Sequence, residues 1–246
     1  MKDDINWSQA KMRLNKKPRK ANRITTYMKT VDNVLGGGLP EGLTILWGQA
    51  GSGKSLFAKS ITKKFVENKK KVLYFFGEDS FDSPDPIPPY LNNVDLVAWK
   101  PGASKAVRTI IKFIEQMKPD LVVLDSLTTI LGVTAKAVPE ADIREYTGVL
   151  ASKLSGIVPT IGISEIRGSY QQTPAGGWGI SHAGLQCLKF DKHVIDSKWL
   201  AQDYGADFGQ MVWSVLVEKD RDGVARQGCM FRAVYVGEEC FLEEMA

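Results

Sequence analysis

One stretch of the sequence, Gly48-Gln49-Ala50-Gly51-Ser52-Gly53-Lys54-Ser55, fits the pattern G-x-x-x-x-G-K-[ST] of a phosphate-binding loop. The short apolar run Leu43–Trp47 before it predicts a buried strand, and Leu56–Val66 after it carries apolar residues at helical spacing. Strand, glycine-rich loop and helix is the arrangement in which backbone N–H groups surround phosphate oxygens. The pattern therefore predicts a nucleotide site in which Lys54 contacts the β- and γ-phosphates and Ser55 binds Mg²⁺.

The composition is that of an ordinary globular chain. Its 246 residues are 43% hydrophobic and 24% charged, which allows one large domain or two small ones. The longest strongly apolar runs, such as Leu121–Leu124, are far too short to cross a bilayer, so no membrane partner is expected. Three widely spaced cysteines, Cys187, Cys229 and Cys240, favour reduced thiols in a cytoplasmic protein over a disulfide framework or a zinc site.

Positive charge is concentrated near the start of the chain. Residues 11–23 contain seven Lys and Arg and no acid, whereas the whole chain has a formal net charge of +4. We therefore divide the sequence into a basic N-terminal arm (1–23), a folded core (24–236) and an acidic C-terminal tail (237–246). A basic arm of this kind either binds a polyanion or an acidic neighbouring subunit, or is a solvated tail.

Strands and helices alternate over the first two thirds of the sequence, which predicts an α/β fold with a mainly parallel central sheet flanked by helices. The predicted elements are strands at Lys71–Phe76, Leu121–Leu124 and Val158–Ile163 and helices at 103–117 and 140–154. Three later strands, at Leu188–Phe190, Val212–Val217 and Met230–Tyr235, are expected to extend one edge of the sheet as antiparallel pairs.

Two carboxylates follow predicted strands of this sheet. Asp125 ends the run Leu121–Leu124, 70 residues after Ser55, and is a candidate Mg²⁺ ligand beside that hydroxyl. Glu78 follows the strand Lys71–Phe76. Because ligands of doubly wound α/β folds bind beyond the carboxyl ends of the strands, Glu78 is placed to meet a nucleotide. The alternative is that Glu78 is a solvent-facing acid in a loop.

A long loop at Gly168–Ser181 carries two aromatic residues and little charge. Tyr170 and Trp178 are able to stack on nucleic-acid bases, a contact worth about 1–3 kcal/mol each. The alternative is that both side chains pack within the loop. The candidate DNA-binding residues of this region are Arg167, Tyr170, Gln171, Gln172 and Trp178.

Several motifs occur in a fixed order along the chain. They are Leu35-Gly36-Gly37-Gly38-Leu39-Pro40, the phosphate loop, Tyr74–Ser80, Asp125 and Pro174-Ala175-Gly176-Gly177. In this order they resemble the RecA/KaiC superfamily of P-loop ATPases over roughly residues 24–236. The resemblance implies a RecA-like core that binds ATP and Mg²⁺ and hydrolyses ATP.

The resemblance also implies roles for single residues. Glu78 matches the glutamate that polarises the attacking water, and Asp125 matches the Walker B acid. Lys219 and Arg221 are similar to the K-x-R pair that ring-forming members place in a neighbour's active site, where cations stabilise charge on the transferring phosphoryl group. Their alternative is a solvated strand end. One departure is Glu165, which stands where recombinases usually have a polar amide that senses the γ-phosphate.

The segment Trp7-Ser8-Gln9-Ala10 is similar to the aromatic-x-x-Ala hook with which RadA-type recombinases dock on the next subunit. A large aromatic ring fills an apolar pocket and a flexible linker sets its reach, so Trp7 and Ala10 are candidate oligomerisation residues. The alternative is that Trp7 folds back onto its own core.

The resemblance is nearest to core-only members, the archaeal RadB-like proteins and the short RecA-like annealing proteins of phages. It implies an oligomeric ATPase that assembles on single-stranded DNA in recombination, repair or strand annealing. Two alternatives stay open: a DnaB-type ring helicase motor, supported by Lys219 and Arg221, and a KaiC-like regulatory ATPase without DNA binding, supported by the modest charge of the core.

Overall fold

A nine-stranded mixed β-sheet with helices on both faces forms the centre of the structure. The computed structural model describes residues 22–77, 94–98, 103–131, 140–166, 174, 178–221, 227–237 and 239–245. The strands are β1 (Arg23–Ile24), β2 (Leu39–Pro40), β3 (Gly42–Gly48), β4 (Val72–Phe76), β5 (Val94–Ala98), β6 (Leu121–Asp125), β7 (Pro159–Glu165), β8 (Gln186–Val194), β9 (Met211–Asp220), β10 (Gly228–Val236) and β11 (Glu239–Glu244). The helices are α1 (Lys29–Val34), α2 (Lys54–Glu67), α3 (Ala103–Met117), α4 (Leu127–Ile130), α5 (Glu140–Leu154), α6 (Trp178–Ala183) and α7 (Lys198–Tyr204).

The order of strands in the main sheet is β11-β10-β9-β8-β3-β7-β6-β4-β5, and β1 pairs with β2 in a separate two-stranded sheet. The six strands from β8 to β5 in this order are parallel to their neighbours. The other three, β9, β10 and β11, continue the sheet as antiparallel pairs. The predicted α/β architecture, with its antiparallel extension at one edge, is therefore confirmed.

The central strands are buried on both faces. All seven residues of β3 and the first four residues of β4 and of β6 are buried, so these strands read as nearly continuous apolar runs. One hydrophobic cluster packs α2, through residues such as Phe57 and Phe65, against one face of the sheet. A second cluster packs α3 and α5, through residues such as Ile110 and Leu150, against the other face.

The helix predictions at 103–117 and 140–154 match α3 and α5.

Eight elements of the described structure were not among the predicted ones: β1, β2, α1, β5, α4, α6, α7 and β11. The last lies within the segment that the sequence analysis assigns to an acidic tail. Phe241 and Leu242 of this strand are 5% and 3% exposed, and the Leu242 N–H donates to Ser60 Oγ of α2 at 2.8 Å. With these two residues buried and the strand paired to β10, β11 is part of the folded core.

None of the helices in the part of the chain that the structure describes is long and apolar enough to cross a membrane.

A candidate nucleotide site

The predicted phosphate loop connects β3, which ends at Gly48, to α2, which begins at Lys54. Gly53 precedes the helix in the left-handed region, at φ +90°, and no side chain caps the helix. A Cβ at Gly53 would lie 2.6 Å from Cδ1 of Trp213, so this position has neither the backbone conformation nor the space for a side chain. The first turn of α2 therefore presents backbone N–H groups of the kind that bind phosphate oxygens.

Lys54 is buried in this loop, at 6% exposure. Its ammonium nitrogen donates to the backbone oxygens of Gly48 at 2.9 Å and Gln49 at 2.8 Å, and it also contacts Ser52 Oγ at 3.4 Å. The loop thus surrounds the ammonium group of Lys54 at the N-terminus of α2. The Lys54 ammonium and the N-terminal end of the α2 dipole are both positive, so together they favour a bound anion.

Ser55 and Asp125 lie together at the same end of the sheet, as the sequence predicts. Ser55 Oγ donates to Oδ1 of Asp125 at 3.3 Å, and the hydroxyl of Tyr74 donates to Oδ2 at 2.8 Å. Burial raises the pKa of Asp125 above its ordinary value, although these hydrogen bonds and the charges of Lys59 and Lys54 oppose the shift.

A hydroxyl and a carboxylate are the hard oxygen donors that Mg²⁺ prefers, and this ion commonly takes its remaining ligands from phosphates and water. Ser55 and Asp125 therefore fit a Mg²⁺ site. The ion would supply positive charge beside the phosphates. Among the residues that the structure describes, no cluster of three or more His, Cys, Asp or Glu side chains forms a metal site of another kind.

Sequence reasoning missed two residues of this site. Tyr74, which donates to Asp125, also stacks on Phe76 with ring centroids 4.2 Å apart. Its one sequence signal is a hydroxyl in an otherwise apolar strand, two positions before the strand ends. Trp213, which packs on Gly53, belongs to β9, and its burial at 6% exposure leaves Nε1 without a hydrogen-bond partner within the described structure. No local pattern marks it, because only the fold brings it to the loop.

The end of strand β4 lies beside Asp125. Phe76 and Asp125 are Cα partners in adjacent parallel strands, and the backbone N–H of Gly77 donates to the backbone oxygen of Asp125 at 2.7 Å. Glu78, the predicted catalytic residue, is the next residue and lies outside the described part of the chain. The side chain of Glu165, at the end of β7, is likewise not described.

Lys219 and Arg221 lie at the opposite end of the sheet from the phosphate loop. Lys219 Nζ donates to the backbone oxygens of His182 at 2.8 Å and Gly184 at 3.0 Å, and Arg221 donates to the same His182 oxygen at 3.2 Å. Burial lowers the pKa of Lys219, and the nearby charge of Arg221 lowers it further.

The register of the strands gives the separation of these cations from the phosphate loop. In β8, Gln186 is the Cα partner of Asp220, and Phe190 is the partner of Gly48. Four residues of strand separate the two positions, which is about 13 Å along the sheet. The structure therefore does not bring Lys219 and Arg221 together with the Lys54–Ser55–Asp125 group of the same chain.

The other predicted binding residues are not described in the structure. Trp7 and Ala10, and likewise Arg167, Tyr170, Gln171 and Gln172, lie outside the described residues, and Trp178 is described only as the first residue of α6.

About half of the chain is similar in sequence to known DNA repair proteins. A segment of 130 residues, 51% of the chain, is 38% identical to the DNA repair protein RadA of Aquifex aeolicus and covers 28% of that protein. A 133-residue segment, 52% of the chain, is 32% identical to the DNA repair protein RadA of Listeria monocytogenes and also covers 28% of it. The matches thus span less than a third of these relatives' length. No protein-family model matches the chain.

Fold and sequence point in the same direction. The mainly parallel sheet carries the phosphate loop on its central strand β3 and the acid of the pair on β6, two strands away. The mainly parallel sheet with its antiparallel extension is consistent with a RecA-like α/β core, and about half of the chain is similar to the RadA proteins.

Proposed function

We propose that the chain binds ATP with Mg²⁺ at the Gly48–Ser55 loop and hydrolyses it. The observation that carries this proposal is the juxtaposition of Lys54, Ser55 and Asp125 at the N-terminus of an uncapped helix. Gly48, Gln49, Ala50, Gly51, Ser52 and Gly53 surround the phosphates with backbone N–H groups, Lys54 neutralises the β- and γ-phosphates, and Ser55 and Asp125 hold the metal ion.

Glu78 is proposed as the residue that polarises the attacking water. Its support is the end of β4, where the backbone N–H of Gly77, the residue before Glu78 in the sequence, donates to the backbone oxygen of Asp125. A carboxylate at that position can accept a proton from water as it attacks the γ-phosphate. Lys219 and Arg221 are proposed to complete the site of a neighbouring subunit, because the register of β8 and β9 keeps them about 13 Å from their own phosphate loop.

The chain is further proposed to assemble as an oligomer on single-stranded DNA in recombination, repair or strand annealing. The relatives named as DNA repair proteins support this, as do the six Lys and Arg residues in the sequence of residues 11–20. Arg167, Tyr170, Gln171, Gln172 and Trp178 are proposed to contact the strand. Trp7 and Ala10 are proposed to dock on the next subunit.

The test is an ATPase assay with and without single-stranded DNA, with Lys54→Ala as the control for the nucleotide site. We expect Mg²⁺-dependent hydrolysis that rises when DNA is added and disappears in Lys54→Ala, since that ammonium is the cation the loop holds. A rate of ATP hydrolysis that is the same with and without DNA, in a chain that does not bind DNA, would instead identify a regulatory ATPase. ATP-driven unwinding of a forked duplex would identify a helicase motor. No Mg²⁺-dependent hydrolysis under any condition would exclude the proposed activity.

A further inference from the structure

The cations Lys219 and Arg221 flank a carboxylate, Asp220, that is almost completely inaccessible. The Asp220 side chain is 1% exposed, and that of Arg23 opposite it is 11% exposed. Nη2 of Arg23 donates to both carboxylate oxygens, at 2.8 and 2.9 Å. The amide nitrogen of Gln186 donates to Oδ2 at 2.5 Å. We call this group of three side chains the Asp220 clamp.

The other nitrogen of the Arg23 guanidinium ties the clamp to the glycine turn between α1 and β2. Nη1 donates to the backbone oxygens of Leu35 at 2.5 Å and Gly38 at 3.1 Å. One side chain therefore links three parts of the fold: the strand β1, the Leu35–Gly38 turn and the end of β9. Because Asp220 is held by a planar guanidinium with several bonds, its position is fixed in direction as well as distance.

An irregularity in β9 sets which way the residues of this segment face. The register between β8 and β9 shifts between Cys187 and Leu188, whose partners are Lys219 and Val217, so Glu218 is the extra residue of a β-bulge. Past the bulge, Lys219 contacts the end of α6, whereas Asp220 meets Arg23 and Gln186. After the bulge, side chains alternate between the two faces of the strand, so Lys219 and Arg221 lie on one side and Asp220 lies on the other.

The clamp is poorly suited to adding stability. A buried ion pair regains little more than the cost of removing its charges from water. In addition, Oε1 of Gln186 is buried without a hydrogen-bond partner among the described residues, which costs free energy. A network of this kind specifies a position better than it stabilises a fold. The groups whose position it fixes are its chain neighbours, Lys219 and Arg221.

We propose that Asp220, held by Arg23 and Gln186, is a positioning residue that aims Lys219 and Arg221 at the nucleotide of the neighbouring subunit. This rests on the proposed function, in which the two cations act on a neighbour's phosphates. Asp220 touches neither nucleotide nor metal; it acts through the two residues beside it. Arg23 has the same role from the other side of the ion pair.

The first experiment measures the clamp without reference to ATP. Trypsin cleaves after Lys and Arg, so the rate of cleavage after Lys219 and Arg221 in the native chain, followed by mass spectrometry, reports how firmly the segment is held. We expect Arg23→Gln, which leaves both cleavage sites unchanged, to raise this rate at least about fivefold, since local opening becomes easier when a buried charge loses its partner. For Asp220→Asn, which alters both sites, the same rise is expected after each rate is divided by the rate in the unfolded chain. The control is Asp120→Asn, which breaks the exposed pair of Lys70 and Asp120 and should leave cleavage at Lys219 and Arg221 unchanged.

The second experiment measures turnover. Asp220→Asn should lower kcat for ATP about tenfold while the ATP dissociation constant stays within about twofold, because a misplaced cation weakens the transition state and not ground-state binding. The double variant Arg23→Met with Asp220→Leu removes both charges and should recover the wild-type melting temperature but not kcat. Recovery of both would show that the clamp only stabilises the fold.

The outcomes separate this inference from the proposed function. Unchanged trypsin cleavage and unchanged kcat in Asp220→Asn and Arg23→Gln, with an active wild-type chain, would overturn the clamp alone. A wild-type chain without hydrolysis would overturn the proposed function, and the trypsin experiment would then decide by itself whether Asp220 holds the segment.

Discussion

Asp125 illustrates at the scale of one residue how a buried carboxylate reduces the stability of a folded protein. Burial raises its pKa above the ordinary value of 3.8, so ionising this carboxyl costs more free energy in the folded chain than in the unfolded chain. Ionisation of this group therefore opposes folding at pH values above its pKa in the folded state. Below the ordinary value the carboxyl is protonated in both states and the penalty vanishes.

The variant Asp125→Asn, which is neutral at every pH, should thus melt at a higher temperature than the wild-type chain near pH 7 without Mg²⁺ or nucleotide. The gain should be a few degrees, at roughly 2–4 °C per kcal/mol for a chain of this size, and should shrink as the pH falls toward about 4. Differential scanning calorimetry across this pH range measures it. Asp120→Asn, at an exposed carboxylate, is the control, and an equal or lower melting temperature for Asp125→Asn at pH 7 would contradict the argument.

Two glycines of the phosphate loop provide a matched pair of substitutions. Gly51 and Gly53 both have positive φ, at +73° and +90°, so alanine is strained at either position. A Cβ at Gly51 meets no atom within 4 Å, whereas one at Gly53 would lie 2.6 Å from the Trp213 ring. Only Gly53→Ala therefore adds a collision, which should cost roughly 1–3 kcal/mol more than Gly51→Ala.

Chemical denaturation of the two variants measures this difference, and a double-mutant cycle with Trp213→Leu identifies its cause. The smaller side chain should recover part of the loss in Gly53→Ala and none of the loss in Gly51→Ala. If both alanine variants are equally stable, Trp213 does not pack on the loop in the way the structure shows.

At the scale of the element, the strand β11 places buried and exposed residues side by side. Leu242 is 3% exposed and packs on α2, whereas the adjacent Glu243 is exposed and forms an ion pair with Arg232 at 2.6 Å. Leu242→Ala should lower the free energy of unfolding by about 2–4 kcal/mol because it leaves a cavity. Glu243→Ala should lower it by no more than about 1 kcal/mol, since exposed ion pairs contribute little. Equal effects in urea denaturation would indicate that β11 is not docked on α2.

The elements that the sequence predicted share a strong local signal. The strands β3, β4 and β6 are continuous apolar runs, and α3 has apolar residues such as Ile110 and Ile114 on one face. β11 was not predicted as a strand because Glu239, Glu243 and Glu244 outweigh Phe241 and Leu242 in composition, and the burial that decides the matter comes from the distant helix α2.

The residues of the candidate site likewise fall into those that a local sequence signal predicts and those that only the fold brings together. Lys54, Ser55 and Asp125 were predicted because a motif fixes the local backbone and parallel strands bring their carboxyl ends together. Tyr74 and Trp213 were not, since each enters the site through its place in the sheet and through no pattern of its neighbours. The Asp220 clamp joins residues 197 positions apart, and no feature of either segment predicts the partner.

At the scale of the whole molecule, the sheet separates the two halves of the proposed catalytic machinery. The phosphate loop and Asp125 lie beyond the carboxyl ends of the parallel strands, whereas Lys219 and Arg221 lie toward the other end, against α6. One chain cannot apply both sets of groups to one nucleotide without a large rearrangement. A head-to-tail oligomer can, because its heterologous interface brings one end of a subunit against the opposite end of the next.

This arrangement predicts complementation between two inactive variants. Glu78→Gln retains Arg221 but lacks the proposed water-polarising group in its own site, and Arg221→Ala retains Glu78 but offers its neighbour no arginine. Neither alone should turn over ATP at more than a small fraction of the wild-type rate. In a random equimolar mixture, an Arg221→Ala site faces a Glu78→Gln neighbour at about one quarter of the head-to-tail interfaces, and these interfaces are complete.

The mixture should therefore recover up to about a quarter of wild-type turnover, because each complete interface has an intact Glu78 from one subunit and an intact Arg221 from the next. Turnover is measured after the two variants are mixed and allowed to assemble with ATP and single-stranded DNA, and co-purification of one tagged variant with the other establishes that mixed oligomers form. The control is a mixture of Lys54→Ala with Glu78→Gln, in which every nucleotide site is defective and no mixture should recover. Mixed oligomers of Arg221→Ala and Glu78→Gln that stay inactive would show that Arg221 acts, if at all, within its own subunit.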